Sequence, residues 1–272
     1  MTVVAAIITR HCTAHASDSF LTTARPNGHL EVVDDRARKL VRVPAWRGVI
    51  AYWGYAGGDG GGKTFDLLVA ESARAGEHGS AQAFAQHLAA TLTAMLHGRR
   101  FARPTDGGIG LHFTAYERVS DYWVPELFLV SNWTDASYSA IRPGGLSVTR
   151  ETYATIRRLE ERSPEHGEAS CRLEVHASLH QQPMMLRFAN GDPVLFNPLA
   201  NAMLECFMTM GARGELENPE SVQTHLTLVR RPVESISHLV SDFAPLGQRR
   251  VGGRARDLAV SPGGMYESTT GE

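Results

Sequence analysis

Thr2 heads an apolar, β-branched run, Thr2-Val3-Val4-Ala5-Ala6-Ile7-Ile8-Thr9, directly after the initiator methionine. With so small a residue in second place, Met1 is expected to be removed and no leader is expected ahead of it. Thr2 would then be a free N-terminal threonine at the end of a core strand. Such a residue is a nucleophile that carries its own base. A neutral α-amino group, with an ordinary pKa of about 7.7 to 8.0, can take the hydroxyl proton. Two charged residues suit the same chemistry. Asp18 closes a second apolar run in Ala16-Ser17-Asp18-Ser19, and Lys39 opens Lys39-Leu40-Val41. A carboxylate and an ammonium at the ends of neighbouring strands can set the protonation of a terminal threonine. Plainer roles exist for each: Thr2 as a strand residue, Asp18 as a turn cap, Lys39 as a solvated charge among Arg36, Arg38 and Arg42. The three together favour the site.

The elements that must hold these residues follow from periodicity. Strands are expected at 2 to 10, 12 to 17, 39 to 43 and 48 to 55, the last two joined at Trp46-Arg47-Gly48, with a polar loop through Pro26, Asn27 and Gly28 before them. Helical spacing follows at 63 to 75 and 82 to 96, the second capped by Ser80. A hairpin is expected from 108 to 116 and 126 to 131. The polar stretch 146 to 172 reads as an exposed helix or insertion. Helices are expected at 197 to 210 and 222 to 243, where Pro232 should kink or restart the second. A strand at 251 to 260, a short hairpin at Gly263 to Tyr266 and a tail from Ser268 to Glu272 complete the pattern. Strands, two helices, strands, two helices and a closing strand is the order expected of antiparallel sheets packed face to face under helices.

The chain has 272 residues, 43% of them hydrophobic, enough for one large domain over residues 1 to 267 with an insertion at about 146 to 172. A net charge of -2 and a pI near 6.6 offer no attraction for nucleic acid or an anionic membrane. Twelve histidines are scattered without zinc-site spacing, so no metal is expected. Cys12, Cys171 and Cys206 read as reduced thiols. Neither a signal-peptide pattern nor a run of 18 apolar residues is present, which predicts a cytoplasmic protein without a membrane span.

Thr2, the Ala16-Ser17-Asp18-Ser19 turn, Lys39-Leu40, and Gly54-Tyr55-Ala56-Gly57-Gly58 before a helix together resemble the proteasome β-subunit superfamily of N-terminal nucleophile hydrolases. The strings Arg38-Lys39-Leu40-Val41 and Gly54 to Gly58 look most like the bacterial HslV-type and ancestral β-subunit members. Val251-Gly252-Gly253-Arg254-Ala255-Arg256-Asp257-Leu258-Ala259-Val260 is similar to the strand that closes these subunits. The resemblance covers roughly residues 1 to 75 and 225 to 265. It implies a four-layer αββα sandwich, two antiparallel sheets covered by helices, within the α+β class. It implies a threonine peptidase without a cofactor, in which Thr2 attacks a peptide carbonyl in a field set by Lys39 and Asp18. Gly54 would supply the oxyanion N–H, and Asp242, nine residues before Val251, the last acid. The family's serine three residues after that acid is replaced here by Pro245, and its mid-chain Gly-Ser turn has a partial counterpart in Asn190-Gly191-Asp192. Polypeptide substrate, a homo-oligomeric ring or spiral and an ATPase unfoldase partner are implied as well.

Two other readings stand beside it. A catalytically silent ring-forming subunit would keep Met1. A nucleotide-binding protein would use Gly57-Gly58-Asp59-Gly60-Gly61-Gly62-Lys63-Thr64, which fits the phosphate-loop pattern G-x-x-x-x-G-K-[ST] between an expected strand and an expected helix. Against the latter, five glycines in the string make a chance match easy, and no later apolar strand ends in an aspartate for magnesium.

Overall fold

The computed structural model describes residues 2–24, 29–57, 63–101, 104–134, 140–142, 144–152, 179, 185–191, 194–216, 221–244, 248 and 251–270. The chain is α+β. One five-stranded sheet has the order β10-β1-β2-β11-β12, formed by β10 (Leu186–Gly191), β1 (Val3–Ile8), β2 (Thr13–Ser17), β11 (Arg256–Val260) and β12 (Tyr266–Glu267). The other has the order β5-β6-β7-β8-β9, formed by β5 (Leu40–Val43), β6 (Gly48–Gly54), β7 (Ile109–Val119), β8 (Tyr122–Ser131) and β9 (Ser147–Arg150). Every pairing in both is antiparallel. A separate two-stranded ribbon joins β3 (Leu21–Ala24) to β4 (Leu30–Asp34). Four helices lie among the described residues: α1 (Lys63–Arg74), α2 (Ala81–Leu96), α3 (Phe196–Ala212) and α4 (Val222–Phe243).

β1 shows why its sequence is an unbroken apolar run. Successive strand side chains point to opposite faces, and here both faces are covered. Val3, Ala5 and Ile7 pack with Leu199 and Met203 of α3 and with Leu226, Val229 and Val233 of α4. Val4 turns the other way, into a cluster with Leu40, Val49, Ala51 and Trp53 of the second sheet, and Ala6 and Ile8 meet Val124 and Leu127 of β8. The second sheet is likewise covered on its far side, where Ile50, Tyr52, Leu111 and Phe113 pack with Leu68 of α1 and Phe84, Leu88 and Leu92 of α2. Each fully buried aliphatic or aromatic side chain in these layers contributes about 1.5–3 kcal/mol. Thr2, at the even-numbered end of β1, shares the face that looks between the sheets.

Several expectations are corrected. The polar loop after Ser19 contains the β3–β4 ribbon, because Leu21-Thr22-Thr23 and Leu30-Glu31-Val32-Val33 are β-branched enough to pair while mostly exposed. Residues 147–150 of the supposed polar helix or insertion are an edge strand, paired with Phe128 to Ser131; residues 153–178 lie outside the described ones. β10, not anticipated, pairs with the whole length of β1. α4 does not restart at Pro232 but runs on to Phe243 as one helix, since Leu226, Val229, Val233 and Ile236 clamp it along the sheet on both sides of the missing N–H. The closing strand starts at Arg256 and not at Val251. The expected free tail is held down: Ser268 and Thr269 donate to the buried carboxylate of Asp257 at 3.0 and 2.8 Å from Oγ and N–H.

Two histidines are sealed between the sheets, His15 on β2 and His112 on β7, and burial lowers both pKa values to about 3. The native state therefore excludes protons that the unfolded chain, with an ordinary value of 6.5, takes up. Stability should be complete above about pH 6.5 and fall as pH drops toward 3. Urea midpoints measured from pH 7 to pH 4 should show this slope, and His112→Asn should make it shallower.

Candidate active site

Thr2, Asp18 and Lys39 come together where three strand ends meet, and all three are buried. Thr2 immediately precedes β1, Asp18 immediately follows β2, and Lys39 immediately precedes β5. The β1–β2 pairing places Ser17 opposite Val4, so Asp18 and Thr2 share one end of that sheet. Across the interior, Lys39 lies at the end of the second sheet where its carbonyl accepts from Tyr52 N–H at 3.2 Å.

Lys39 Nζ makes three contacts. It donates to the hydroxyl of Thr2, to Asp18 Oδ1 at 2.9 Å and to the carbonyl of Phe20 at 2.7 Å. An ammonium has three N–H donors, so this set uses them all. Asp18 is equally occupied: Oδ1 also accepts Val3 N–H at 3.0 Å, and Oδ2 accepts the N–H groups of Phe20 at 3.2 Å and Gly252 at 3.3 Å. Burial pushes the Lys39 ammonium below its ordinary pKa, opposed by the Asp18 carboxylate and then by Asp34. The result is a cation held out of water against a hydroxyl oxygen. Such a group stabilises negative charge developing on that oxygen, and once deprotonated it can take the hydroxyl proton.

The carriers of the remaining contacts were not visible as site residues in the sequence. Phe20 supplies a carbonyl and an N–H from the link between β2 and β3. Gly252 reaches Asp18 from 234 residues away. Gly191, at the end of β10, has φ +126, and a Cβ there would sit 1.9 Å from the carbonyl oxygen of Thr2. Only glycine lets β10 close against Thr2. The Gly191 and Gly252 strings were legible as motifs, but their contacts depend on pairings between distant strands.

Gly54 ends β6 opposite Ile109, with φ +89, two residues beyond Tyr52 and so at the Lys39 end of the sheet. Asp242 is placed differently from the order expected of a last acid. It is exposed near the end of α4 and hydrogen-bonds to none of Thr2, Asp18 or Lys39. The glycine-rich run is described only at its ends, since residues 58–62 lie outside the described ones. Thr64 is buried, its hydroxyl donating to the Tyr55 carbonyl at 3.0 Å and its N–H to the Ala56 carbonyl at 3.2 Å. Thr64 thus ties α1 to the end of β6, and the sheet it leaves is antiparallel where a phosphate loop has a parallel one. Among the described residues, no three His, Cys, Asp or Glu side chains are placed to hold a metal ion, and no helix is long and apolar enough to cross a membrane. No family model matches the sequence, and no curated protein matches it.

Removing one member of the buried pair strands the other in a dry site, a loss of about 3–5 kcal/mol. Lys39→Met and Asp18→Leu should each lower unfolding free energy by that amount in urea titrations. The double variant should recover part of it, because neither charge is then left unpaired.

Proposed function

We propose that this protein is an N-terminal threonine hydrolase of the proteasome β-subunit type, cutting peptide bonds with Thr2 after removal of Met1. The observation that carries the reading is the direct contact of the buried Lys39 ammonium with the Thr2 hydroxyl, with Asp18 fixing that ammonium in place. The helices on the outer faces of two packed antiparallel sheets support the four-layer αββα arrangement that such hydrolases use.

In the proposed mechanism the Thr2 oxygen attacks the carbonyl carbon of the scissile bond. Its proton passes to the free α-amine of Thr2, directly or through water. Lys39 lowers the cost of charge on the attacking oxygen, and the Gly54 N–H meets the tetrahedral oxyanion. The amine of the leaving peptide departs with the proton, leaving an ester on Thr2. Water then adds to the ester carbonyl and releases the acid. Asp18 does not touch the reacting atoms in this scheme; it positions Lys39 and the first N–H of β1. Substrates would be unfolded polypeptides or peptides, and the working form a homo-oligomeric ring or spiral served by an ATPase unfoldase.

The test is intact mass before and after a peptide epoxyketone, an electrophile that captures N-terminal threonine. Loss of the Met1 mass and a single adduct, absent in Thr2→Ala, is the expected result. Retained methionine without an adduct would refute the hydrolase and leave the silent-subunit reading. The pH profile supplies a second check. kcat/KM on a fluorogenic peptide should rise as the α-amine loses its proton near its ordinary value of about 7.7 to 8.0. It should fall again as Lys39 deprotonates, at a pH below the ordinary lysine value of 10.5 because burial depresses it. Lys39→Arg should remove that alkaline limb.

A further inference from the structure

Behind Thr2, on the same interior face, the two sheets enclose polar atoms that none of the described residues satisfies. His15 Nδ1, His112 Nδ1, Trp53 Nε1 and Ser17 Oγ are all buried without a hydrogen-bond partner. The rings are neighbours: His15 and His112 have centroids 6.4 Å apart, and Trp53 meets His112 edge-on at 5.1 Å. Buried polar groups without partners are costly to leave unbonded. Four in one layer of a folded core mark a place where something else bonds them.

The donor and acceptor roles can be worked out. Asn190 Nδ2 lies 2.5 Å from His112 Nε2. An amide nitrogen only donates, so Nε2 accepts and the neutral ring carries its proton on Nδ1. On the opposite sheet His15 Nε2 lies 3.0 Å from Thr114 Oγ1, a hydroxyl that also lies 3.3 Å from Thr13 Oγ1 and 3.4 Å from the Val49 carbonyl, so it can donate to the ring or accept from it. His15 Nδ1 is therefore a lone pair or an N–H according to which way that hydroxyl points. The interior thus offers two N–H donors, His112 Nδ1 and Trp53 Nε1, and two groups able to donate or accept, His15 Nδ1 and the Ser17 hydroxyl.

We propose that this interior site binds ordered water, bridging the two sheets by accepting from His112 and Trp53 and bonding His15 and Ser17. Water can both donate and accept, as these four groups require, and buried waters make about three such bonds. The site has a structural consequence for the nucleophile. Asn190, whose amide sets the His112 tautomer, immediately precedes Gly191, the residue packed on the Thr2 carbonyl. Hydration of the interior therefore fixes the strand end that backs Thr2, whether or not Thr2 is a nucleophile.

The experiment is NMR on the 15N-labelled full-length protein. His112 should show the Nδ1–H tautomer pattern, and its ring N–H and the Trp53 indole N–H should both give cross-peaks to long-lived water. In His112→Phe the Trp53 cross-peak should be lost with one anchor of the water gone. A His112 found as the Nε2–H tautomer would overturn the proposal. So would the absence of a water cross-peak from both N–H groups in the wild-type protein, which needs no variant to fold. Ordered density of a metal or additive at this position in a high-resolution crystal structure would overturn it equally.

Discussion

The buried ion pair between Lys39 and Asp18 is the constraint on which the rest of the structure depends. Neither charge is stable in a dry interior alone, and together they are tolerable only because the remaining lone pairs and protons are met. The four bonds accepted by Asp18 come from Val3, Phe20, Lys39 and Gly252, which lie on four separate stretches of the chain. Satisfying one carboxylate thus draws the start of β1, the link after β2, the start of β5 and the approach to β11 to a single point. A polar requirement organises a set of apolar strands.

That point lies where it does because of strand alternation. β1 sends odd-numbered side chains toward α3 and α4 and even-numbered ones toward the second sheet. A one-residue slip against β2 would turn Thr2 away from Lys39 and expose the valines to the wrong layer. The apolar run and Thr2 are therefore aligned by the same register. β10 locks it from the other edge, with Gly191 permitting the close approach that any side chain would block. The two faces of β1 explain its composition, and Thr2 is the polar end of the inward face.

The interior between the sheets departs from a purely apolar core in a consistent way. Polar side chains of β2 and β7 face one another there, with Thr13 and Thr114 hydroxyls 3.3 Å apart beside the two histidines. Burial keeps the rings neutral, so they act as fixed dipoles and not as charges. A core of this kind is costly without partners and specific with them. It selects one facing of the two sheets, where an apolar layer would accept several.

The sequence alone determined the elements with strong local signals and the residues able to do chemistry. The β-branched run of β1, the Ser80 cap and helical spacing of α2, and the apolar stripe of α4 all rest on interactions within a few residues of one another. Thr2, Asp18 and Lys39 were legible because their types and their places at strand ends suit one another. The tertiary structure alone decided what depends on distant pairings. It brought Gly252, Phe20 and Gly191 to the site, left Asp242 exposed, made an edge strand of Ser147 to Arg150 and carried α4 through Pro232. A hydrogen bond across 234 residues leaves no periodic trace in a sequence, because strand alternation and helical spacing report which face a residue occupies and not which strand lies beside it.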